Sequence, residues 1–513
     1  MFLVPCFRGG GFFNAILILM EKLYEKCNFH FLSNVIRMEC YYFESIIQGV
    51  MMIFRKLHKP LILFIVCLLA AGCAKTGTKA ENEQRTLKVL FGDEGYFYQT
   101  YGDLFAMRYP NVNIEVVSMQ SVYDAEEKDT KKALKELLDK EQPDVLMLDK
   151  DSYSILASEG LLMDLQTLID RDKFDTSSFL PGMLEMLKER GGGKLYGLSP
   201  YFYANVIYYN ADLFAKYGVE PPHDGMTWQE IIDTARRFPT DGDEKSRVYG
   251  FGSNFGYQLQ DLASMIASTH GIKEVDPKTR KVTINTEGWK QAYQLALDAI
   301  ESKAIYNPQD GGFQGGSMEE YYNSQPFLMG RMAMTTDGSY FLQNLRDVKT
   351  RLKDYKPFQL GIVAGPVDPA KPDESREIYF GRVLSIRANT PNVEAAWDFM
   401  KFVHGEEYAK IKSRTLNEGM LTRMGSVKEF EGVNLDAFYK LKPSSESNLL
   451  SSEDEIPSAF YEQYYSILSR ETGLLEKKSK SVDEALKTIE QEAQAQLDKA
   501  LKDKKDKKDA ETN

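Results

Sequence analysis

Between Leu87 and Leu148 the chain alternates short apolar runs with helix-spaced segments, and this alternation limits the fold more than any other feature of the sequence. Leu87-Lys88-Val89-Leu90-Phe91 reads as a β-strand closed by Gly92-Asp93-Glu94-Gly95, with a helical segment after it through Leu104 and Phe105. Asn113 to Val117 reads as a second strand. Lys131 to Leu138 has apolar residues at helical spacing, and Pro143-Asp144-Val145-Leu146-Met147-Leu148 then reads as a buried parallel strand. Strand, helix, strand in this order means a βαβ sheet, because parallel neighbours need a crossover long enough to hold a helix. Later helices are marked by their caps, Thr227 before Trp228-Gln229-Glu230 and Thr390-Pro391-Asn392 before Glu394 to Val403. Ser481 to Lys499 reads as one amphipathic helix running into a charged tail at 501–513.

The 513 residues leave room for two or more domains. A hydrophobic content of 43% with 27% charged residues excludes a disordered chain, a coiled coil and a polytopic membrane protein. The net charge of −12, with no long basic stripe before the last dozen residues, argues against nucleic acid as a partner, since phosphate contacts need clustered Lys and Arg. All five cysteines lie at or before Cys73, so no disulfide framework or CxxC metal site exists beyond it. His223, His270 and His404, the histidines beyond that point, are not spaced to share a zinc ion.

From Met51 the chain has a signal-peptide layout, with Arg55, Lys56 and Lys59 ahead of an apolar run from Leu61 to Ala71. The run is shorter than the roughly 20 residues a spanning helix needs. It ends in Ala70-Ala71-Gly72-Cys73, which resembles a bacterial lipobox, although Ala70 stands where Leu is usual. The expectation is a lipoprotein signal peptide over 51–72, a lipidated Cys73, and a polar tether over 73–84. Residues 1–50 fit nothing in this scheme and read as an over-extended start, with translation beginning at Met51 or Met52.

Four stretches of the remaining chain, in the correct order, carry a family resemblance. They are Phe91-Gly92-Asp93-Glu94-Gly95-Tyr96; Pro143-Asp144-Val145 through Ser158-Glu159-Gly160-Leu161-Leu162; Val206-Ile207-Tyr208-Tyr209-Asn210 into Asp212-Leu213-Phe214; and Gly330-Arg331-Met332-Ala333-Met334 through Asp337-Gly338-Ser339-Tyr340. From about 85 to 500 the chain resembles the family 1 extracellular solute-binding proteins of ABC importers, the group that includes maltose-binding proteins. The resemblance implies an α/β, two-lobed, type II periplasmic-binding-protein-like fold, each lobe a mostly parallel sheet flanked by helices, with a hinge between them. Lobe one is expected over 85–200 plus 380–420 and lobe two over 201–379 plus 421–500. A monomer is implied that needs no cofactor or metal, takes a carbohydrate in its cleft and meets ABC permease subunits. It would touch the membrane through its lipid alone, on the outer face of the bacterial cytoplasmic membrane.

A sugar site mixes carboxylates and amides, for the hydroxyls, with aromatic rings for the C–H faces. Trp228, Trp289 and Trp397 read as core, so the 29 tyrosines must supply the rings. In open α/β sheets ligands sit beyond the C-terminal strand ends. Asp93 and Glu94 follow the first strand, and Asp93 matches a sugar-contacting acid of the family, with a helix N-cap as its local alternative. Asp151 matches a second acid by its distance from Gly160-Leu161-Leu162, while Leu148 replaces the aromatic that maltose-binding proteins place before that acid, which argues against maltodextrin. Tyr201 and Tyr203 fall at the first crossing between lobes, Asn254 and Tyr257 follow a strand at Val248 to Gly252, and Tyr340, with Ser339 beside it, matches a stacking aromatic. Arg382 stands where the chain crosses back, and Glu418 precedes Gly419 near another crossing.

Two other classes stay open. Ferric-ion binding proteins share the architecture and can use adjacent tyrosines, as at Tyr208-Tyr209 or Tyr321-Tyr322, although strand alternation buries one of the first pair. A carbohydrate enzyme would need a carboxylate pair in the cleft. No GxSxG, HExxH or Walker loop occurs.

Overall fold

The strand Arg85–Phe91 lies between two parallel neighbours, Val112–Ser118 and Val145–Leu148, with the helix Thr130–Glu141 among their connections. Leu87, Val89 and Leu90 are fully buried, as is the Val145–Leu148 run, so this end of the sheet is covered on both faces. Val383–Ile386 and Gly197–Leu198 complete the first sheet, both through antiparallel ladders. This computed structural model describes residues 84–512 apart from 126–129, 244–245, 309–312, 314, 417, 427 and 445–455, with backbone alone from 507. The signal segment, the start site, Cys73 and its tether lie outside the described residues.

A second sheet takes its strands in the order Leu360–Val363, Val206–Asn210, Met332–Asp337 and Tyr249–Phe251. It has one parallel ladder and two antiparallel ones, where mostly parallel sheets were expected. The cause is discontinuity. Val383–Ile386 enters the first sheet, and Val206–Asn210 the second, directly from a strand that lies between the sheets, so each runs against strands delivered by local βα units. That between-sheet layer is a third sheet of three short strands, Ile378–Phe380, Tyr201–Ala204 and Met420–Leu421.

The tryptophans are core residues, each at most 2% exposed: Trp397 in one hydrophobic cluster, Trp228 and Trp289 in the other. Asp144, from the Pro143-Asp144-Val145 match, is structural. Buried, it accepts the Lys88 amide at 2.8 Å, the Thr390 hydroxyl and the Asn392 side chain, tying strand to helix. At the C-terminus the helix Ser458–Glu476 packs on Leu259–Thr269, and Val482–Thr512 packs on Glu287–Glu301. Leu486, Ile489, Ala493 and Leu497 form the buried stripe of the last helix. That helix continues through residues read from the sequence as a tail. Lys499 and Asp503, like Lys502 and Asp506, stand four apart, the spacing at which opposite charges support a helix.

Candidate functional site

The crossing sheet sets the site. Its antiparallel register pairs Tyr203 with Tyr379, and Phe202 with both Phe380 and Met420. Side chains alternate across a strand, so Phe202, Phe380 and Met420 enter the core while Tyr203 and Tyr379 emerge together on the other face. Tyr203 is 38% and Tyr379 45% exposed, with ring centroids 5.4 Å apart. Glycines bracket the first ring. A Cβ on Gly381 would stand 2.6 Å from Tyr203, and one on Gly419, whose φ is +116°, would stand 3.2 Å from it and 2.8 Å from the Phe202 carbonyl.

On the first-sheet side, Asp93 caps the helix Glu94–Phe97, its carboxylate accepting the Tyr96 amide at 2.8 Å, so the local alternative of the sequence reading is realised. Glu94 lies exposed near Tyr98. Tyr96 donates its hydroxyl to Glu418, and burial, with that bond to an acceptor-only carboxylate, pushes the phenol up to about 12. Tyr96, Gln99, Thr100, Tyr201, Lys412 and Glu418 line a cavity of about 60 Å³. Tyr201 is buried there, 2.8 Å from the Tyr408 hydroxyl, and burial raises its pKa. Burial lowers that of Lys412, while the nearby Glu418 opposes the shift.

Asp151 stands in the first turn of Lys150–Ser158, behind the cap Asp149, which accepts the Asp151 and Ser152 amides at 2.9 Å. Its Oδ1 is buried without a protein partner among the described residues, and burial raises its pKa. The charged groups around it are Lys150, Asp149, Arg190 and Lys131, none of which belongs to the crossing group. Leu148 is core. Arg382 is exposed, its charge near Tyr203, and its carbonyl accepts the Ser199 hydroxyl at 2.7 Å.

The second-sheet side gathers at the end of Met332–Asp337. Asp337 accepts the Gly338 amide at 2.7 Å, and burial pushes its carboxyl up to about 6. Tyr257 is buried and stacked on Phe251 at 5.7 Å, leaving only its hydroxyl to act, 3.2 Å from Thr336. Asn205 donates to Glu377 at 3.0 Å, and burial raises that carboxyl. The Asn254 Oδ1 is buried with no partner among the described residues. Ser339 is buried, and Tyr340, at the start of Phe341–Arg351, is 64% exposed.

Tyr96, Tyr201, Tyr203, Glu418 and Arg382 thus form one group that passes through Tyr379 and Glu377 to Asn205, Asp337 and Tyr257, since Glu377 acts electrostatically on both Tyr379 and Tyr257. Asp93 and Tyr340 at helix N-caps, Glu94 and Asp151 in first helical turns and Asn254 in a turn each follow a strand. Sequence reasoning did not single out Tyr96, Asn205, Asp337, Glu377 and Tyr379, which the structure adds to this candidate group. Alternation in Ile378-Tyr379-Phe380 against Tyr201-Phe202-Tyr203 was the available signal for Tyr379, once the two runs are paired. Neither adjacent tyrosine pair suits a metal. Tyr208 is buried and donates to the Gly338 carbonyl at 2.7 Å, Tyr209 lies over Gly361, and Tyr322 is buried.

Residues 80–410 match the family model of the bacterial extracellular solute-binding proteins, a span that takes in both large sheets and two of the three crossing strands. The chain belongs to this family. Its members are substrate-binding proteins of ABC transporters, not enzymes. An arabinooligosaccharide-binding protein of Bacillus subtilis is 24% identical over 67% of this chain and 75% of its own length. An sn-glycerol-3-phosphate-binding periplasmic protein of Brucella abortus is 27% identical over 39% of this chain, a match spanning 45% of that relative. Among solved structures, a family 1 extracellular solute-binding protein from Alicyclobacillus acidocaldarius superimposes with a TM-score of 0.57 at 16% identity, covering 80% of this chain and 98% of its own. A sugar transporter from Rhizobium etli in an open conformation gives 0.56 at 20% identity, covering 80% and 99%. The fold is therefore the type II solute-binding fold.

Proposed function

We propose that the protein captures a sugar or oligosaccharide in the cleft between its two large sheets and delivers it to an ABC permease, held outside the cell by a lipid on Cys73. One observation carries the carbohydrate part: paired, exposed Tyr203 and Tyr379 rings with Glu418 and Glu377 beside them, the mixture of flat apolar surface and hydroxyl acceptors that sugars require. The name of the arabinooligosaccharide-binding relative supports the same reading.

In this reading Asp93, Glu94, Asp151, Asn254, Tyr257, Ser339 and Tyr340 meet the ligand from the loops, Tyr201 and Arg382 from the crossing. The lobes are 85–200 plus 380–420 and 201–379 plus 421–500, and they close as a monomer about Ser199-Pro200-Tyr201 and Tyr379-Phe380-Gly381. The tether of 73–84 keeps the loaded protein near its permease and raises the effective concentration of that encounter.

A thermal-shift panel of neutral saccharides and free amino acids tests the reading. A saccharide at about 100 times its Kd adds about 2.7 kcal/mol and raises Tm. A shift with amino acids alone would overturn it. In parallel, intact mass of membrane-extracted protein should give a chain beginning at acylated Cys73, and an unmodified cysteine there would remove the anchor.

A further inference from the structure

We propose that Ser199 is the clasp of the hinge, its buried hydroxyl bridging a gap in the two-stranded ribbon that joins the large sheets and so limiting how freely the ribbon bends there. The proposal rests on the reading that the lobes close about these crossings, and goes beyond it in naming a residue that governs their motion. Ser199 is 1% exposed, so it acts as a positioning residue away from the ligand.

The gap follows from the register. Leu198 pairs with Leu384 in the first sheet and Phe202 with Phe380 in the crossing sheet, so the two connections run as one antiparallel ribbon in a single register. Hydrogen bonding alternates along such a strand. Arg387 gives its amide to the Asp144 carbonyl on one side, so Ser385 and Val383 face that side, while Leu384 and Arg382 face the strand Gly197–Leu198 and its continuation. The register sets Arg382 opposite Pro200, which has no N–H and whose carbonyl is taken by the Thr422 amide at 2.9 Å. The ladder therefore stops. It resumes with its alternation shifted by one residue, since Asn205 gives its amide to the Glu377 carbonyl at 3.4 Å, so the ribbon turns over at the gap.

Ser199 fills the gap from its own side chain. Its hydroxyl oxygen lies 2.7 Å from the Arg382 carbonyl, on the opposite strand, and 2.7 Å from the Tyr201 carbonyl, on its own. Carbonyls only accept and a hydroxyl has one hydrogen, so one of the two is served in full at a time. With the hydrogen on Arg382 the strands are fastened to each other; with it on Tyr201 they are free to move apart. A turn about the Cβ–Oγ bond exchanges the two. A backbone ladder bond has no such second acceptor, and breaks outright when strands shear. The clasp thus sits where the ribbon has lost its backbone bonds, between Ser199-Pro200-Tyr201 and Gly381-Arg382.

Pulsed dipolar electron resonance on the full chain tests the clasp, with spin labels on unnatural residues at Lys132 and Gln291, exposed positions on the helices Thr130–Glu141 and Glu287–Glu301 of the two proposed lobes. Ser199→Thr and Ser199→Val have the same shape and differ by the hydroxyl. In the empty protein the Thr variant should keep the wild-type spread of distances between labels, and the Val variant should widen it, as should Ser199→Ala. Equal spreads in the Thr and Val variants, or a wild-type spread in Ser199→Ala, overturn the clasp. Arabinotriose, maltotriose and cellotriose then separate this from the hinge reading. If the wild-type distance shortens with one of them while the variants match wild type, the clasp alone falls. If the wild-type distance keeps one narrow value in the empty protein and with every saccharide, both fall.

Discussion

Asp337 ends its strand with one carboxylate oxygen on the Gly338 amide and with burial holding its pKa up at about 6. In the unfolded chain an aspartate titrates near 4. The folded protein resists losing this proton, so the residue costs no stability below about pH 4, progressively more between 4 and 6, and its full amount above 6. Asp337→Asn should accordingly melt higher than wild type at pH 7, and the advantage should vanish at pH 4; an equal difference at both pH values would mean that charge is not the cause. Hydroxyl donors from a ligand favour the charged form, so wild-type affinity should rise from pH 5 to pH 7 and the variant's should not. Several candidate residues are visible one by one in the sequence because they stand at expected chain crossings: Tyr203 at the first, Arg382 where the chain crosses back, Glu418 before Gly419 near another. Glu377 and Asp337 carry no such mark. Their significance comes from burial, which depends on what the fold packs around them.

The crossing sheet is the element in which site and fold meet, and its strands are only two to four residues long. Periodicity needs longer runs, so Ile378-Tyr379-Phe380 says nothing of its partner until Tyr201–Ala204 is placed beside it. The longer elements were legible: Leu87 to Phe91, Asn113 to Val117 and the two capped helices all form where their patterns predict them. Strand direction was legible only for the first βαβ unit, since a strand arriving from a crossing shows no sign of its orientation. The glycines beside Tyr203 provide a test at this scale. Gly381→Ala places a methyl 2.6 Å from the ring, which must shift, and loss of one aromatic contact of about 1.4 kcal/mol weakens saccharide binding about tenfold. Gly473→Ala is the control. Its Cβ meets nothing within 4 Å inside a helix, so it should gain up to about 1 kcal/mol of stability and leave affinity unchanged. Wild-type affinity in Gly381→Ala would show that the position of Tyr203 does not matter to the ligand.

At the scale of the whole molecule, two large sheets are joined through three short strands, whose exposed face carries Tyr203 and Tyr379. Short strand ends of this kind can absorb the dihedral change of a hinge. A ligand closes the cleft only by binding the closed form better than the open one, and a sugar reaching from Glu418 and Tyr203 to Asp337 has that differential contact. Small-angle X-ray scattering of the full chain, with and without the saccharide that gives the largest thermal shift, reads this closure. Closure gives a smaller radius of gyration at saturation, with Tyr379→Ala requiring more saccharide to reach it. Superimposable profiles for the empty and saturated protein would contradict it.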